Sequence, residues 1–367
     1  MKTLFIHHTS DFNGGSDKSL FEFVINLNLK EITPLICLRH GDPYIQKYKE
    51  YGIEVKTMSI TSPPKRLFSK QGVKFILGFL PSIAFLTLLI IRRKIDVVHV
   101  NTSINIQGGI SAYLSRRPIV WHVRELLGSS LLDKAVKSLV LHLATKVVAI
   151  SKSVSDSLNS NKVELVYNGM DLNDYKSVAL SEKKPLVVNC VGRIEEWKGQ
   201  HIAIDAISQL GDEFKDVIFQ FVGSGAVNKP EYLTGLKSEV EQKKLVNVSF
   251  LGSRKDVPAI LRNSQILIAP TCTSEPFGRT VIEGMAAGNI VISTNAGGPK
   301  EIIDEGVNGY LVAPNSSKEL AEKLAYVISN YHNLKNIRET AMSCVNKQYR
   351  IERVSENMTK IFQEVLV

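Results

Sequence analysis

The sequence predicts an α/β protein made of two doubly wound domains, and three observations carry that prediction. The chain has 367 residues, more than one ordinary core accommodates and enough for two domains of roughly 150 residues. Short runs rich in β-branched residues alternate with longer helix-like stretches, the pattern of βαβ units whose strands are covered on both faces. The alternation then begins afresh after "YNGMDLNDY", residues 167–175.

The strand candidates of the first half are "TLFIH", "PLICL", "IEVKTM", "DVVHV", "IVWHV", "KVVAI" and "VELVY". Those of the second are "PLVVNCVG", "VIFQFVG", "NVSFLG", "QILIAP" and "NIVIST". The turn-forming pair Asn168-Gly169 marks the boundary, giving domains 1–167 and 168–348. Open parallel sheets bind ligands beyond the carboxyl ends of their strands, so functional residues are expected just after strands, and two such domains facing each other would leave a cleft.

Composition narrows the class. With 44% hydrophobic and 22% charged residues the chain reads as a soluble globular protein. The formal charge of +9 suits nucleic acid, an anionic membrane or phosphate-bearing small molecules. No zinc-finger spacing, RNA-binding aromatic pattern or basic heptad helix is present, so no nucleic-acid partner is expected. The apolar run in "MKTLFIHHTS" is too short for a secretion signal, and a cytoplasmic location is expected. Cys37, Cys190, Cys272 and Cys344 lie far apart without CxxC, which predicts reduced, mostly buried thiols and no metal site.

One segment stands apart. Phe75 to Ile91, "FILGFLPSIAFLTLLII", has 17 uncharged residues between Lys65, Arg66, Lys70 and Lys74 on one side and Arg92, Arg93 and Lys94 on the other. That length is at the lower limit for a membrane span. "DVVHV" follows at once in the same sheet, so spanning would place one domain on both sides of a bilayer. Two readings remain: a crossover helix packed in the core, or a helix lying in the interface with its basic flanks on anionic headgroups. The second, an anionic membrane surface as partner, is preferred. Pro81 is expected to kink or interrupt the helix in either case.

Candidate chemistry follows the strands. After the first comes "HHTSDFNGGSDKSLFEFV", where Gly14-Gly15-Ser16 opens a helix whose amides suit an anion, or forms only a tight turn. "GRIEEWKGQ" places Arg193 and Lys198 beside Gly192 at a strand end, where two cations could clamp a diphosphate or form a solvated rim. His122 follows Trp121 in "IVWHVRE", as a ligand contact or a structural histidine. In "SEPFGRTVIEGMAAG", Glu275 precedes a short helix that Gly288 stops, Glu283 lies a turn inside it, and the amides around Phe277 and Gly278 point out of the helix start. "NAGGPKEII" opens a second glycine-rich loop. Paired carboxylates alone would suggest acid/base hydrolysis.

The stretch "SEPFGRTVIEGMAAGNIVISTNAGGPKEIIDEGVNGYLV" closely resembles the donor-binding signature of retaining glycosyltransferases of family 4, with their E-x7-E motif and GT-B fold of two facing Rossmann-like domains. The similarity extends through "GRIEEWKGQ", "YNGMD", "DVVHVN" and the amino-terminal Gly-Gly loop. It implies that Glu275 contacts donor-sugar hydroxyls, with the amides near Phe277 and Gly278 helping, and that Glu283 takes the ribose hydroxyls. Arg193 and Lys198 match the pair that neutralises the diphosphate in place of a metal ion. His122 matches a histidine near the donor sugar, and Gly14 and Gly15 the loop that closes over the phosphates. Where the family has Gly-Gly-Ala/Ser-Glu-Arg, this chain has Gly-Gly-Ser-Asp-Lys, with Asp17 and Lys18 keeping the charges.

The implied substrates are a nucleotide-sugar donor, UDP- or GDP-linked, and a glycan or lipid-linked acceptor in surface polysaccharide synthesis, with no cofactor and no metal. The resemblance also implies that the last segment, about 349–367, is a helix crossing back onto the first domain. Two other readings stay open. One is a sugar-nucleotide epimerase or phosphorylase on the same fold; the other is a non-catalytic nucleotide-sugar-binding module.

Overall fold

The structure, a computed structural model, describes residues 1–8, 15–59, 70–175, 185–226 and 229–367. Its residues group into two compact units, Met1–Met170 with Arg350–Val367, and Asp171–Tyr349.

The first unit alternates strand and helix: β1 (Lys2–Ile6), α1 (Gly15–Ile25), β2 (Thr33–Arg39), α2 (Tyr44–Glu50), β3 (Glu54–Met58), α3 (Lys70–Arg92), β4 (Val97–Asn101), α4 (Ile106–Leu114), β5 (Ile119–Val123), α5 (Leu131–Leu143), β6 (Lys146–Ala149), α6 (Lys152–Leu158) and β7 (Val163–Leu165). Its strands pair parallel in the order β3-β2-β1-β4-β5-β6-β7. Every residue of β4 and β5 is buried, as expected where helices cover both faces.

The second unit contains β8 (Val187–Val191), α7 (Gln200–Ser208), β9 (Ile218–Val222), α8 (Pro230–Gln242), β10 (Val248–Gly252), α9 (Val257–Arg262), β11 (Ile266–Ala269), α10 (Arg279–Ala286), β12 (Ile290–Thr294), α11 (Pro299–Ile302), β13 (Tyr310–Val312), α12 (Ser317–Asn330) and α13 (Lys335–Gln348). Its parallel sheet has the order β10-β9-β8-β11-β12-β13. Both sheets reverse their winding once, between β1 and β4 and between β8 and β11. Loops diverge at such switch points and leave a crevice at the strand carboxyl ends.

The last helix, α14 (Ile351–Glu364), belongs to the first unit. Ile351, Val354, Met358, Ile361 and Phe362 form one buried stripe, while Glu352, Arg353, Glu356 and Lys360 are exposed, the ordinary amphipathic pattern. Phe362 packs edge-on against Phe5 at 5.9 Å and beside Phe23 at 6.4 Å, closing the core on the α1 side of the sheet. A buried phenylalanine of this kind contributes about 1.5–3 kcal/mol.

The structure differs from the sequence expectation at two elements. The short edge strand β13 was not expected, because three residues after an Asn-Gly turn give no readable period. The apolar helix α3 runs unbroken through Pro81, and Ser82 Oγ donates to the Phe79 carbonyl at 2.7 Å in the same turn.

Candidate functional site

In the second unit the switch point is built by two loops bonded to each other. The loop after β8 passes through Gly192 and a short 3-10 turn, Glu196–Lys198, to Gly199. The loop after β11 carries Cys272 to Gly278. Cys272 N donates to the Trp197 carbonyl at 2.8 Å and Gln200 Nε2 donates to the Arg193 carbonyl at 2.9 Å. Gly199 has φ +72°, and a methyl group there would strike the Pro270 carbonyl, so the two loops approach at a distance only glycine permits.

This arrangement brings Lys198 to Glu275. Nζ lies 2.9 Å from Glu275 Oε1 and 4.2 Å from the centre of the Trp197 ring, while Trp197 Nε1 is held by Glu195 Oε2 at 2.7 Å. The Lys198 and Glu275 side chains are 16% and 13% exposed, so the pair is largely screened from water yet reachable. Beneath it, Cys190 is buried and its thiol is pushed up to about 12 by burial, opposed by Lys198, which makes it an inert packing group. Arg193 is 51% exposed and reaches Glu195 at 3.4 Å.

A second stitch holds Glu275 from the other side. Gly298 N donates to the Glu275 carbonyl at 2.7 Å. A methyl group on Gly297 would strike that carbonyl, and one on Gly298 would strike the carbonyl of Phe277. Phe277 is buried with its ring 5.9 Å from Tyr349, and Gly278, at φ +96°, starts α10. Inside α10, Glu283 is bound by Arg279 Nε at 3.2 Å. Glu275 and Glu283 therefore have separate cationic partners.

The first unit's switch point holds a buried polar chain. Arg124 Nε donates to Asn101 Oδ1 at 2.6 Å and Asn101 Nδ2 contacts His7 Nδ1 at 2.8 Å. His7 Nε2 lies 2.9 Å from Asp17 Oδ1 in the first turn of α1. Arg124 also donates to Asn168 Oδ1 at 3.2 Å, and Asn168 Nδ2 to Ser19 Oγ at 3.0 Å. A guanidinium only donates, so it fixes the Asn101 amide with its oxygen toward Arg124 and its nitrogen toward His7. His7 Nδ1 is then an acceptor, the ring proton sits on Nε2, and the chain ends on the Asp17 carboxylate.

Two family models match the sequence, "Glycosyltransferase Family 4" over residues 14–174 and "Glycosyl transferases group 1" over residues 173–343. The chain belongs to the family 4 glycosyltransferases. An uncharacterized glycosyltransferase of Methanocaldococcus jannaschii is 28% identical over 76% of this chain and 78% of its own length. The capsular polysaccharide biosynthesis glycosyltransferase CapM of Staphylococcus aureus is 24% identical over 78% and 81%. Among solved structures, Anabaena HepE in complex with UDP-glucose superposes with a TM-score of 0.84 at 25% identity, covering 99% of this chain and all of that one. The fold is GT-B.

Of the residues singled out in this glycosyltransferase, Gly192, Arg193, Lys198, Glu275, Phe277, Gly278 and Glu283 gather around the second unit's switch point. Gly15 starts α1 in the first unit, and Gly14 lies outside the described residues. His122 is only 1% exposed. Its Nδ1 is 3.2 Å from His99 Nε2, and its own Nε2 has no partner among the described residues. Burial first, then Arg124 and His99, holds it well below the usual histidine range, so it is a neutral imidazole. His7, Asn101 and Arg124 were not singled out from sequence, and Asn168 only as part of the boundary turn. The signal was there, since each directly ends or follows a strand candidate, but they come from four separate strands and show no spacing.

Proposed function

We propose that this glycosyltransferase is a retaining, metal-independent enzyme. It moves a sugar from a nucleotide-sugar donor to a glycan or lipid-linked acceptor in surface polysaccharide biosynthesis (capsule, exopolysaccharide or lipopolysaccharide), at the cytoplasmic face of the membrane. The carrying observation is the Lys198–Glu275 pair at 2.9 Å, held at the switch point by loops that only glycines allow to meet. A UDP-sugar is favoured over a GDP-sugar because HepE was solved with UDP and UDP-glucose and TarM of S. aureus with UDP. The polysaccharide role follows the names of CapM and of the colanic acid glycosyltransferase WcaL of Salmonella typhimurium.

In this reading Glu275 accepts from donor-sugar hydroxyls and Glu283 from the ribose. As the C1–oxygen bond breaks, its electron pair leaves with the nucleoside diphosphate, and Lys198 and Arg193 offset the charge gathering on the phosphate oxygens. The acceptor oxygen bonds to C1 on the face the phosphate leaves, and its proton passes to a departing phosphate oxygen, so configuration is kept. The family resemblance also gives His122 a role near the donor sugar. Preorganised positive charge of this sort contributes about 10²–10³-fold to turnover.

Thermal-shift titration with UDP-, GDP- and ADP-sugars in chelator tests the donor, because a ligand bound only by the folded state raises the midpoint. A UDP-sugar is expected to raise it, Lys198→Ala to lose about 10²–10³-fold in transfer, and the product to keep the anomeric configuration. No response to any nucleotide sugar would defeat the reading.

A further inference from the structure

We infer that the outer face of α3, continued by the carboxyl end of α4, is a docking surface for an anionic lipid bilayer, with α3 lying along the interface. The sequence alone left open whether this helix packs in the core. A helix that is apolar all round must be covered on every side, by protein or by lipid. On one side α3 is covered: Ile83, Leu86 and Ile90 are buried, and Ser111 Oγ of α4 donates to the Ile83 carbonyl at 3.2 Å. On the other side Val73, Leu77, Leu80, Ala84, Leu88 and Ile91 follow one another at three- and four-residue steps, all exposed. Leu77 and Leu80 are 70% and 72% exposed, and only 22% of the Ile76–Arg93 stretch is buried. Contrast α14, whose outward positions are charged. Nothing among the described residues covers the apolar stripe of α3.

Charge identifies the occupant. Helices α3 and α4 both run back against a parallel sheet, so their carboxyl ends lie at the same amino-terminal edge of the strands. There the stripe ends in Arg92, Arg93 and Lys94, with exposed Arg116 and Arg117 just past α4, next to exposed Tyr113 and Leu114. Arg92, Arg93, Lys94 and Lys2 also line a groove of about 670 Å³ at this edge, with Glu54 bound to Arg93. This is the opposite edge of the sheet from the His7–Asp17 chain. An apolar stripe bordered by cations matches acyl chains beneath anionic headgroups. Spanning is ruled out by geometry, because Ile83, Leu86 and Ile90 would have to leave the protein core.

The inference deepens the reading above, resting on it for the membrane-bound acceptor but not for the surface itself. The test floats the full chain with vesicles of phosphatidylcholine alone or mixed with phosphatidylglycerol, at low and high salt. The chain should float with the anionic vesicles at low salt and largely release at high salt. Leu77→Glu with Leu80→Glu, and separately Arg92→Gln with Lys94→Gln, should each lower binding about tenfold or more without lowering the thermal midpoint. A wild-type chain that does not float, or variants that float equally well, would overturn the inference. So would light scattering that shows a dimer dispersed by the Leu77/Leu80 variant without vesicle binding. UDP-sugar thermal shift is read in parallel: donor binding without flotation sinks only the docking surface, and flotation without donor binding sinks only the proposed function.

Discussion

The two units solve the same topological problem with different chemistry. At the switch point of the second, cations and carboxylates are positioned by backbone: glycines 199, 297 and 298 let loops touch, and Lys198 meets Glu275 where they do. At the switch point of the first, side chains do the positioning through a buried chain from Arg124 to Asp17. The difference teaches that one architecture can be tuned from the loops, which suits a ligand of fixed form such as a nucleotide, or from the interior, which sets a helix start. The two designs should fail in different ways.

Acid should separate them most strongly. Burial holds His8 at about 3, and His99 and His122 well below the usual range, all in the first unit. Their folded values are depressed below the unfolded 6.5, so the unfolded chain binds more protons and stability falls as pH drops below 6.5. Each group contributes about 1.4 kcal/mol per pH unit, about 4 kcal/mol per unit for the three. Asp42, whose carboxyl is raised by burial, opposes this in part. In the second unit His201 and His332 are not buried, and surface Asp205, lowered by Lys243, matters only below about its ordinary 3.8. Hydrogen exchange between pH 6.5 and 4 should therefore show the first unit opening while the second stays protected. Simultaneous loss would contradict the comparison.

Gly298→Ala attacks the backbone design. The added methyl meets the Phe277 carbonyl, which cannot swing aside as a side chain would, and a loss of about 3 kcal/mol in chemical denaturation is expected, together with the UDP-sugar response. Gly235→Ala in α8 is the matched control. Open space surrounds that position, and the change should stabilise by about 0.5–1 kcal/mol. Between these in size, Asn101→Leu removes both the acceptor for Arg124 and the donor to His7. It should cost the first unit about 2 kcal/mol and leave the nucleotide-induced shift of the second intact. Equal effects on both units would mean the two switch points are not independent.

Much of this was readable in the chain. All the strands except β13 were visible as apolar runs, and the residues around Glu275 were visible because they lie within one contiguous stretch. What stayed hidden was what depends on distant partners. Sequence shows that Gly199 follows Lys198, but not that a carbonyl 71 positions on occupies the space a side chain would need. It shows His122 on a strand, but not that His99 stacks edge-on at 5.4 Å and seals it in. It shows that residues 75–91 are apolar, but which side of that helix the protein covers depends on where α4 lands.

The position of α14 has a consequence for how the molecule is made. The ribosome synthesises all of the second unit before it begins Ile351, so while the second unit is being made the first still lacks the helix that covers Phe5 and Phe23. Until then the first unit exposes an aromatic surface, and it completes its core only when this late segment packs on β1 and α1. A glycosyltransferase nascent chain stalled before Phe362 should be held by chaperones, and the finished one released.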